Sequence, residues 1–93
     1  MDYTFLNIVS GASTTTTVKS GGGLLRGIMI NTPVASGTLT VYNSTTASGT
    51  KVATITLPVA VGAPQFVICD CNVNVGITVL STVAGLDFTV IYK

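Results

Sequence analysis

GGGLLRGIMINTPVASGTLTVYN, residues 21 to 43, contains two segments with the features of β-strands. In GTLTVYN, Leu39 and Val41 alternate with other residues at a period of two, which places them on one face of a strand. LLRGIMI is apolar on both faces. This is typical of a central strand covered twice, or of a strand whose second face meets another subunit. Turn residues at 21–23 and 33–37 separate the two segments from their neighbours.

The rest of the chain has the same character. Thr, Val and Ile dominate, and the helix formers Glu, Gln and Lys are nearly absent. Turn signals at 10–11, 21–23, 33–37, 43–49, 62–64, 71–74 and 84–85 separate eight candidate strands at about 3–9, 13–19, 24–31, 38–43, 51–58, 65–70, 75–82 and 86–92. The run TTTT at residues 14–17 predicts an edge strand, because Thr is a good strand former. Short strands at this spacing predict an all-β fold: a single small antiparallel β-sandwich domain over residues 1–93, jelly-roll-like, with about eight strands. The order of the strands stays open at this stage.

Alternation also predicts which side chains face the core. In KVATITLP, Ala53, Ile55 and Leu57 share one face. In LDFTVIYK, the residues expected on one face are Leu86, Phe88, Val90 and Tyr92. The opposite faces of these strands are lined mainly by threonine, so we expect half-buried strands with threonine facing outward.

The composition predicts a protein that works in an assembly. Charged residues make up 8% of the chain and hydrophobic residues 47%, and the net charge is +1. An average soluble domain has about 25% charged residues. A surface so poor in charge resists association weakly, so we expect partners to cover much of it. Without a basic patch or a row of aromatic residues, nucleic acid is not an expected partner.

No targeting or membrane segment is expected. The first residues, MDYTFLNIVSG, carry an acid where a signal peptide has Lys or Arg, and their apolar run is short. No segment has the ~20 continuous apolar residues of a membrane helix. The sequence therefore predicts synthesis in the cytoplasm and no contact with a membrane.

Arg26 is the unusual residue of the apolar strand. With regular alternation it shares a face with Leu24, Ile28 and Ile30. One interpretation places its guanidinium in water at the end of the strand. The other makes it an interface residue held by a carboxylate, Asp70 or Asp87, of its own or a neighbouring chain.

The sequence offers no set of residues for catalysis. It contains no His, and its Ser residues have no accompanying base. Cys69 and Cys71 form a C-x-C at the predicted end of a strand, too few ligands for a structural zinc site. We expect two reduced, packed thiols, the alternative being a metal shared by several copies. SGGGLL lacks the Gly-Lys-Ser/Thr ending of a phosphate-binding loop and predicts a turn. Neither an enzyme nor a bound cofactor or metal is expected.

Three segments resemble small structural proteins of tailed bacteriophages: GLLRGIMIN (23–31), SGTLTVYNSTTASGTKVATI (36–55) and GITVLSTVAGLDFTVIYK (76–93). In that family an apolar Gly-Leu-Leu strand precedes a hairpin of the form tLtvYdn…asGtkia, and a second hairpin closes the domain. The resemblance covers about three quarters of the chain. Asn43 stands where the pattern often has an acid, and residues 58–74 match no part of it.

The resemblance implies a non-enzymatic virion protein. In particular it implies a head decoration (cement) protein that bridges major capsid protein subunits at the capsid surface. It also implies self-association, with a homotrimer favoured over a dimer because of the three-fold axes of capsids. A baseplate or fibre-associated protein, structural or carbohydrate-binding, is the alternative.

The N-terminal segment 1–9 precedes the family-like region and provides further candidate interface residues. Tyr3, Phe5 and Leu6 lie here, and with Arg26 they are the residues we expect at an interface. The segment could add a strand to a neighbour or contact the capsid directly. Alternatively, it is a strand of its own sandwich.

Overall fold

The chain folds into eight antiparallel β-strands, as the spacing of its turn residues predicts. In this computed structural model, residues 3–32, 34–35, 37–56 and 65–93 are described. The strands are β1 (Thr4–Val9), β2 (Thr14–Ser20), β3 (Gly23–Thr32), β4 (Thr38–Asn43), β5 (Thr50–Thr56), β6 (Gln65–Val73), β7 (Gly76–Ser81) and β8 (Asp87–Tyr92). The predicted all-β class is confirmed.

The strands form two four-stranded sheets in the order of a jelly roll. One sheet has the order β1-β8-β3-β6 and the other β2-β7-β4-β5. Apart from the step from β4 to β5, each strand is followed in the chain by a strand of the other sheet. Most neighbours within a sheet therefore come from distant parts of the sequence. This topology binds the two ends of the chain together, because β1 pairs along its whole length with β8.

The core lies between the two sheets and is built from the predicted inward faces. Leu39, Val41, Leu86, Phe88 and Val90 are buried, in agreement with the alternation of β4 and β8. Further buried apolar side chains come from both sheets: Ile8, Leu25, Ile28, Ile30, Val73, Ile77 and Val79. Their burial is the main stabilising contribution to the fold.

Part of the predicted fifth strand lies outside the described residues. Ala53 and Ile55 of β5 are partly buried, and Ile55 packs against the core. Leu57 and Pro58, and the turn predicted at residues 62–64, lie outside the described residues, as do Pro33 and Ser36 of the β3–β4 turn.

The turn predicted at Cys71–Asn74 is wrong. β6 continues through Val73, and the connection to β7 contains only Asn74 and Val75. The side chain of Asn43, at the end of β4, holds this tight turn. Its Oδ1 accepts hydrogen bonds from the backbone amides of Asn74 (3.2 Å), Val75 (3.0 Å) and Gly76 (3.4 Å), and its Nδ2 donates to Asn74 Oδ1 (2.8 Å). Residue 43 thus supplies an acceptor oxygen, which an acidic side chain at this position would also supply.

We expect Asn43→Ala to lower the free energy of unfolding by about 1 kcal/mol, because the amides of the β6–β7 turn lose their shared acceptor. Asn43→Asp should cost less, since a carboxylate oxygen can accept the same bonds. Urea denaturation of the two variants tests this. Equal losses would contradict the assigned role of Oδ1.

Candidate protein-binding surface

Arg26 lies at a β-bulge, which changes the face on which it was predicted to lie. In the β3–β8 pairing, Leu25 is opposite Tyr92 and Gly27 opposite Ile91, so Arg26 is the extra residue. A bulge of this kind inserts one residue and shifts the alternation beyond it. Leu25, Ile28 and Ile30 are therefore the core residues, all fully buried, whereas Leu24 is only partly buried. The predicted register of Arg26 with Leu24, Ile28 and Ile30 is wrong.

A second bulge lies beside the first, in β6. Leu25 pairs with Cys71 and Gly27 with Ile68, so two residues of β6 oppose Arg26. One of them, Asp70, has a φ of 47°, in the left-handed region that Asp and Asn tolerate better than most residues. The two bulges bring the extra residues of adjacent strands together on the outer side of the sheet.

Arg26 and Asp70 form an ion pair at this point. The guanidinium Nη1 donates to both carboxylate oxygens of Asp70 at 2.5 Å. Asp70 raises the pKa of Arg26 through this hydrogen bond and through its charge, and Tyr3 adds a smaller contribution. Of the two predicted carboxylate partners, the structure selects Asp70 of the same chain. The side chains remain 38% and 47% exposed, so the pair lies at the surface.

The outer surface of the β1-β8-β3-β6 sheet presents two rows of residues across the strands, and most of these residues have apolar side chains. One row runs Phe5, Ile91, Gly27, Ile68, and the next runs Asn7, Thr89, Met29, Phe66. We call this surface, together with Val9 at its margin, the apolar face. The ring of Phe66 packs closely over Gly27: a Cβ added at Gly27 would lie about 3.0 Å from Cζ of Phe66.

The apolar face contains most of the large exposed hydrophobic side chains. Phe5 is 68% exposed, Val9 63%, Ile68 59% and Phe66 37%. Monomeric soluble proteins rarely expose contiguous apolar patches beyond a few hundred Å², and larger ones mark interaction sites. β6, which contains the apolar segment QFVIC, is an edge strand, and its outward side chains Phe66 and Ile68 are exposed. The second apolar face of this segment is therefore not covered by the described part of its own chain.

The predicted interface residues Tyr3, Phe5 and Leu6 are all exposed, at 43%, 68% and 36%. Phe5 points outward on the apolar face. Leu6 lies on the core side of β1, opposite Val90, where the open flank of the sandwich leaves it partly uncovered. Within the predicted N-terminal segment, Thr4–Val9 is a strand of its own sandwich, paired with β8, rather than a free arm. Sequence reasoning missed Val9, Phe66 and Ile68. Alternation along β1 could have found Val9, but the side of β6 that faces outward depends on the bulge.

One end of the apolar face is polar and internally bonded. Asn7 Nδ2 donates to Asp87 Oδ1 (2.7 Å) and Thr89 Oγ1 (3.1 Å), and to the carbonyl of Phe88 (3.2 Å). Asn31 Nδ2 donates to the same two side-chain oxygens at 3.2 and 3.0 Å. Asp87 is thus held by amides of its own chain and is not the partner of Arg26.

The opposite sheet presents a different surface. Across β2, β7, β4 and β5 one outward row runs Thr15, Leu80, Thr40, Thr54. TTTT at residues 14–17 belongs to β2, an edge strand as predicted. The loop after β4 folds toward this surface, where Thr17 and Thr78 donate to its carbonyl groups. The two broad surfaces of the sandwich therefore differ in chemistry: the first presents several large apolar side chains, and the second is lined mainly by threonine.

Cys69 and Cys71 lie inside β6 rather than at its end, and both are free thiols packed against the core. Burial raises the pKa of the Cys69 thiol, and the neighbouring Cys71 and Asp70 raise it further. Burial and then Asp70 raise the pKa of Cys71. Within the described segments, no three His, Cys, Asp or Glu side chains are grouped as a metal site requires.

A cleft of about 470 Å³ lies beside the turn between β2 and β3. The residues that line it are Lys19, Gly22, Gly23, Leu24, Asn72 and Lys93. The predicted turn is confirmed, with Gly21 at a φ of 100° and its amide bonded to the carbonyl of Val75 (2.9 Å). The side chains of Lys19 and Lys93 bring positive charge to the cleft.

Comparison of the chain with protein-family models, curated proteins and solved structures found no match. No helix in the described part of the chain is long and apolar enough to cross a membrane.

We expect Asp70→Gly to be more stable than Asp70→Ala by about 1 kcal/mol, because only glycine adopts the left-handed conformation without steric cost. Both variants lose the ion pair with Arg26, so their difference isolates the backbone of the bulge. Thermal and urea denaturation provide the measurement. Equal stability would show that the left-handed conformation of residue 70 does not constrain the fold.

Native Cys69 and Cys71 should react with a thiol reagent at neutral pH more slowly than a free cysteine peptide. Burial and the raised pKa both reduce the fraction of accessible thiolate. The labelling rate should increase as the pH is raised. In denaturant, the control, both thiols should react at the rate of the peptide. A native rate equal to that of the peptide would contradict the packed arrangement.

Proposed function

We propose that the protein is a non-enzymatic structural protein of a tailed-phage virion, most specifically a decoration (cement) protein that binds the major capsid protein at the capsid surface. The observation that carries this proposal is the apolar face. The sequence resemblance to small phage structural proteins supports a virion as the assembly in which it works.

The size of the apolar face fits a protein partner. The Cα atoms extend over 35 × 28 × 17 Å, so the sheet surfaces are the broad sides of the molecule. A standard protein interface buries about 800 Å² on each partner. A sheet face of these dimensions is large enough to provide that area if most of it is covered.

The charges of the apolar face are satisfied within the chain. Arg26 is paired with Asp70, and Asp87 accepts hydrogen bonds from Asn7 and Asn31. Binding through this surface would therefore depend on apolar area and shape rather than on ion pairs. Such binding should respond weakly to salt.

A decoration protein does not need chemistry at its binding surface. Many identical copies on one particle act together, so a modest free energy per contact is enough to strengthen the shell. Binding to the capsid would cover the apolar face, which is exposed in the free domain. The bound protein would bridge neighbouring capsid subunits.

Carbohydrate binding is the second candidate function, because three exposed aromatic side chains, Tyr3, Phe5 and Phe66, accompany the apolar face. A glycan array with purified protein tests it directly. Specific retention of a glycan would favour an adhesion module on a fibre or baseplate. The copy number in the virion separates the locations, since hundreds of copies indicate the head and a few indicate the tail.

Ile68→Ser should weaken binding to capsids that lack the protein by about tenfold, because it removes an exposed apolar side chain from the interface. Val75→Ser is the matched control, since Val75 is 48% exposed in the β6–β7 turn, outside the apolar face. It should bind like the parent protein. Quantitative co-sedimentation with capsids at low and high salt is the measurement. Equal binding by both variants, or loss of binding in salt, would reject the apolar face as the docking surface.

A further inference from the structure

The four edge strands of the sandwich differ in how they are protected against pairing with another strand. In β2 the register shifts between Thr17 and Lys19. The pairing of β5 with β4 also shifts, next to Lys51. β6 carries the bulge at Asp70. Bulges and charged side chains of this kind discourage edge-to-edge association.

β1 has none of these protections. Its six residues, TFLNIV, contain no charge and no proline, and they pair with β8 without a shift of register. Its end is fixed to the body of the domain, because Ser10 donates to the carbonyl of Leu86 (2.9 Å) and accepts from the amide of Gly85 (2.9 Å). Among the edge strands of the described chain, β1 alone combines a regular backbone with an uncharged sequence.

The hydrogen-bonding groups at the free edge of β1 follow from its pairing with β8. The Ser10 bond to Leu86 and the register of the ladder place the amides of Leu6 and Ile8 toward β8. Antiparallel strands alternate the direction of these groups. The amides and carbonyls of Phe5, Asn7 and Val9 therefore point away from the sheet.

We propose that β1 pairs with β1 of a second copy, antiparallel about a two-fold axis at Asn7. This pairing joins two β1-β8-β3-β6 sheets into one eight-stranded sheet. The proposal is independent of the virion function proposed above, because it concerns the isolated protein.

The sequence of β1 fits a copy of itself. FLNIV reads apolar, apolar, Asn, apolar, apolar in both directions. Centred on Asn7, antiparallel pairing sets Phe5 against Val9 of the second copy and Leu6 against Ile8 of the second copy. Opposite residues share a face, so the first pair lies on the apolar face and the second on the core side.

The exposure of these side chains supports the second copy as the occupant. Phe5 and Val9, at 68% and 63%, are the two most exposed large hydrophobic residues of the described chain, and the pairing brings them together. Leu6 is 36% exposed although it points toward the core side. The second copy would close this open flank, and neither strand would bring an unpaired charge into the contact.

The symmetry differs from that expected from the resemblance. A closed pairing of one edge with itself is isologous and gives a dimer, whereas the resemblance to phage structural proteins implies a homotrimer. The dimer would also double the continuous width of the apolar face.

Two double variants test the pairing with matched composition at the same positions. In Phe5→Lys/Val9→Lys, the two-fold pairing sets like charges opposite each other at both ends. In Phe5→Lys/Val9→Glu, it sets opposite charges against each other. We expect the parent protein and the Lys/Glu variant to sediment as dimers, and the Lys/Lys variant to associate at least about tenfold more weakly than the Lys/Glu variant. Thr54→Lys/Thr56→Lys, on β5, is the control for added charge and should remain dimeric.

Amide hydrogen exchange of the parent protein provides a readout that needs no substitution. The amides of Phe5, Asn7 and Val9 should become protected as the protein concentration rises, whereas those of Leu6 and Ile8 should be protected at all concentrations. The proposal would be overturned if the parent protein were a monomer at tens of micromolar or a trimer. Equal association of the two charge variants would also overturn it. So would amide exchange at Phe5, Asn7 and Val9 that does not depend on protein concentration. Capsid binding by a protein that remains monomeric would leave the virion function standing and reject only the β1 pairing.

Discussion

The coupled bulges in β3 and β6 are the constraint on which the larger part of the structure depends. An extra residue in β3, Arg26, allows Leu25, Ile28 and Ile30 all to reach the core, although a regular strand could not place all three on one side. The same irregularity turns Arg26 outward, where it meets Asp70 from the bulge of β6. Without the bulges, regular alternation would direct a guanidinium into an apolar interior with no partner for its charge.

The bulge in β6 also determines which of its apolar side chains face the core and which face outward. Cys69 and Cys71 pack against the core, whereas Phe66 and Ile68 continue the apolar rows across the outside of the sheet. The strand is therefore apolar on both faces for two reasons: one face completes the core, and the other forms part of the exposed surface. This arrangement accounts for a high hydrophobic content in a chain that is too small to bury all of it.

The scarcity of charge has a structural counterpart. Arg26 is matched by Asp70, and Asp87 by two Asn side chains, so the apolar face has little electrostatic contrast. A surface of this kind selects partners by area and shape. It also gives weak protection against self-association, and on the edges of β2, β5 and β6 bulges and charged residues provide that protection instead. β1 lacks these protections, and its near-palindromic sequence matches a copy of itself.

The sequence by itself determined the elements of this protein. The all-β class, the eight strands, the burial of Leu39, Val41, Phe88 and Val90, and the edge position of the threonine run follow from local alternation and turn residues, because a period of two is a property of the strand alone. The exposure of Tyr3, Phe5 and Leu6 was also expected. Only the tertiary structure decided the jelly-roll order, the orientation of Arg26, its pairing with Asp70 and the extension of β6 to Val73. These features depend on contacts between strands far apart in the chain, and a bulge is defined by the register of two strands. The sequence of β3 alone therefore does not indicate that Arg26 is the residue left without a partner in β8.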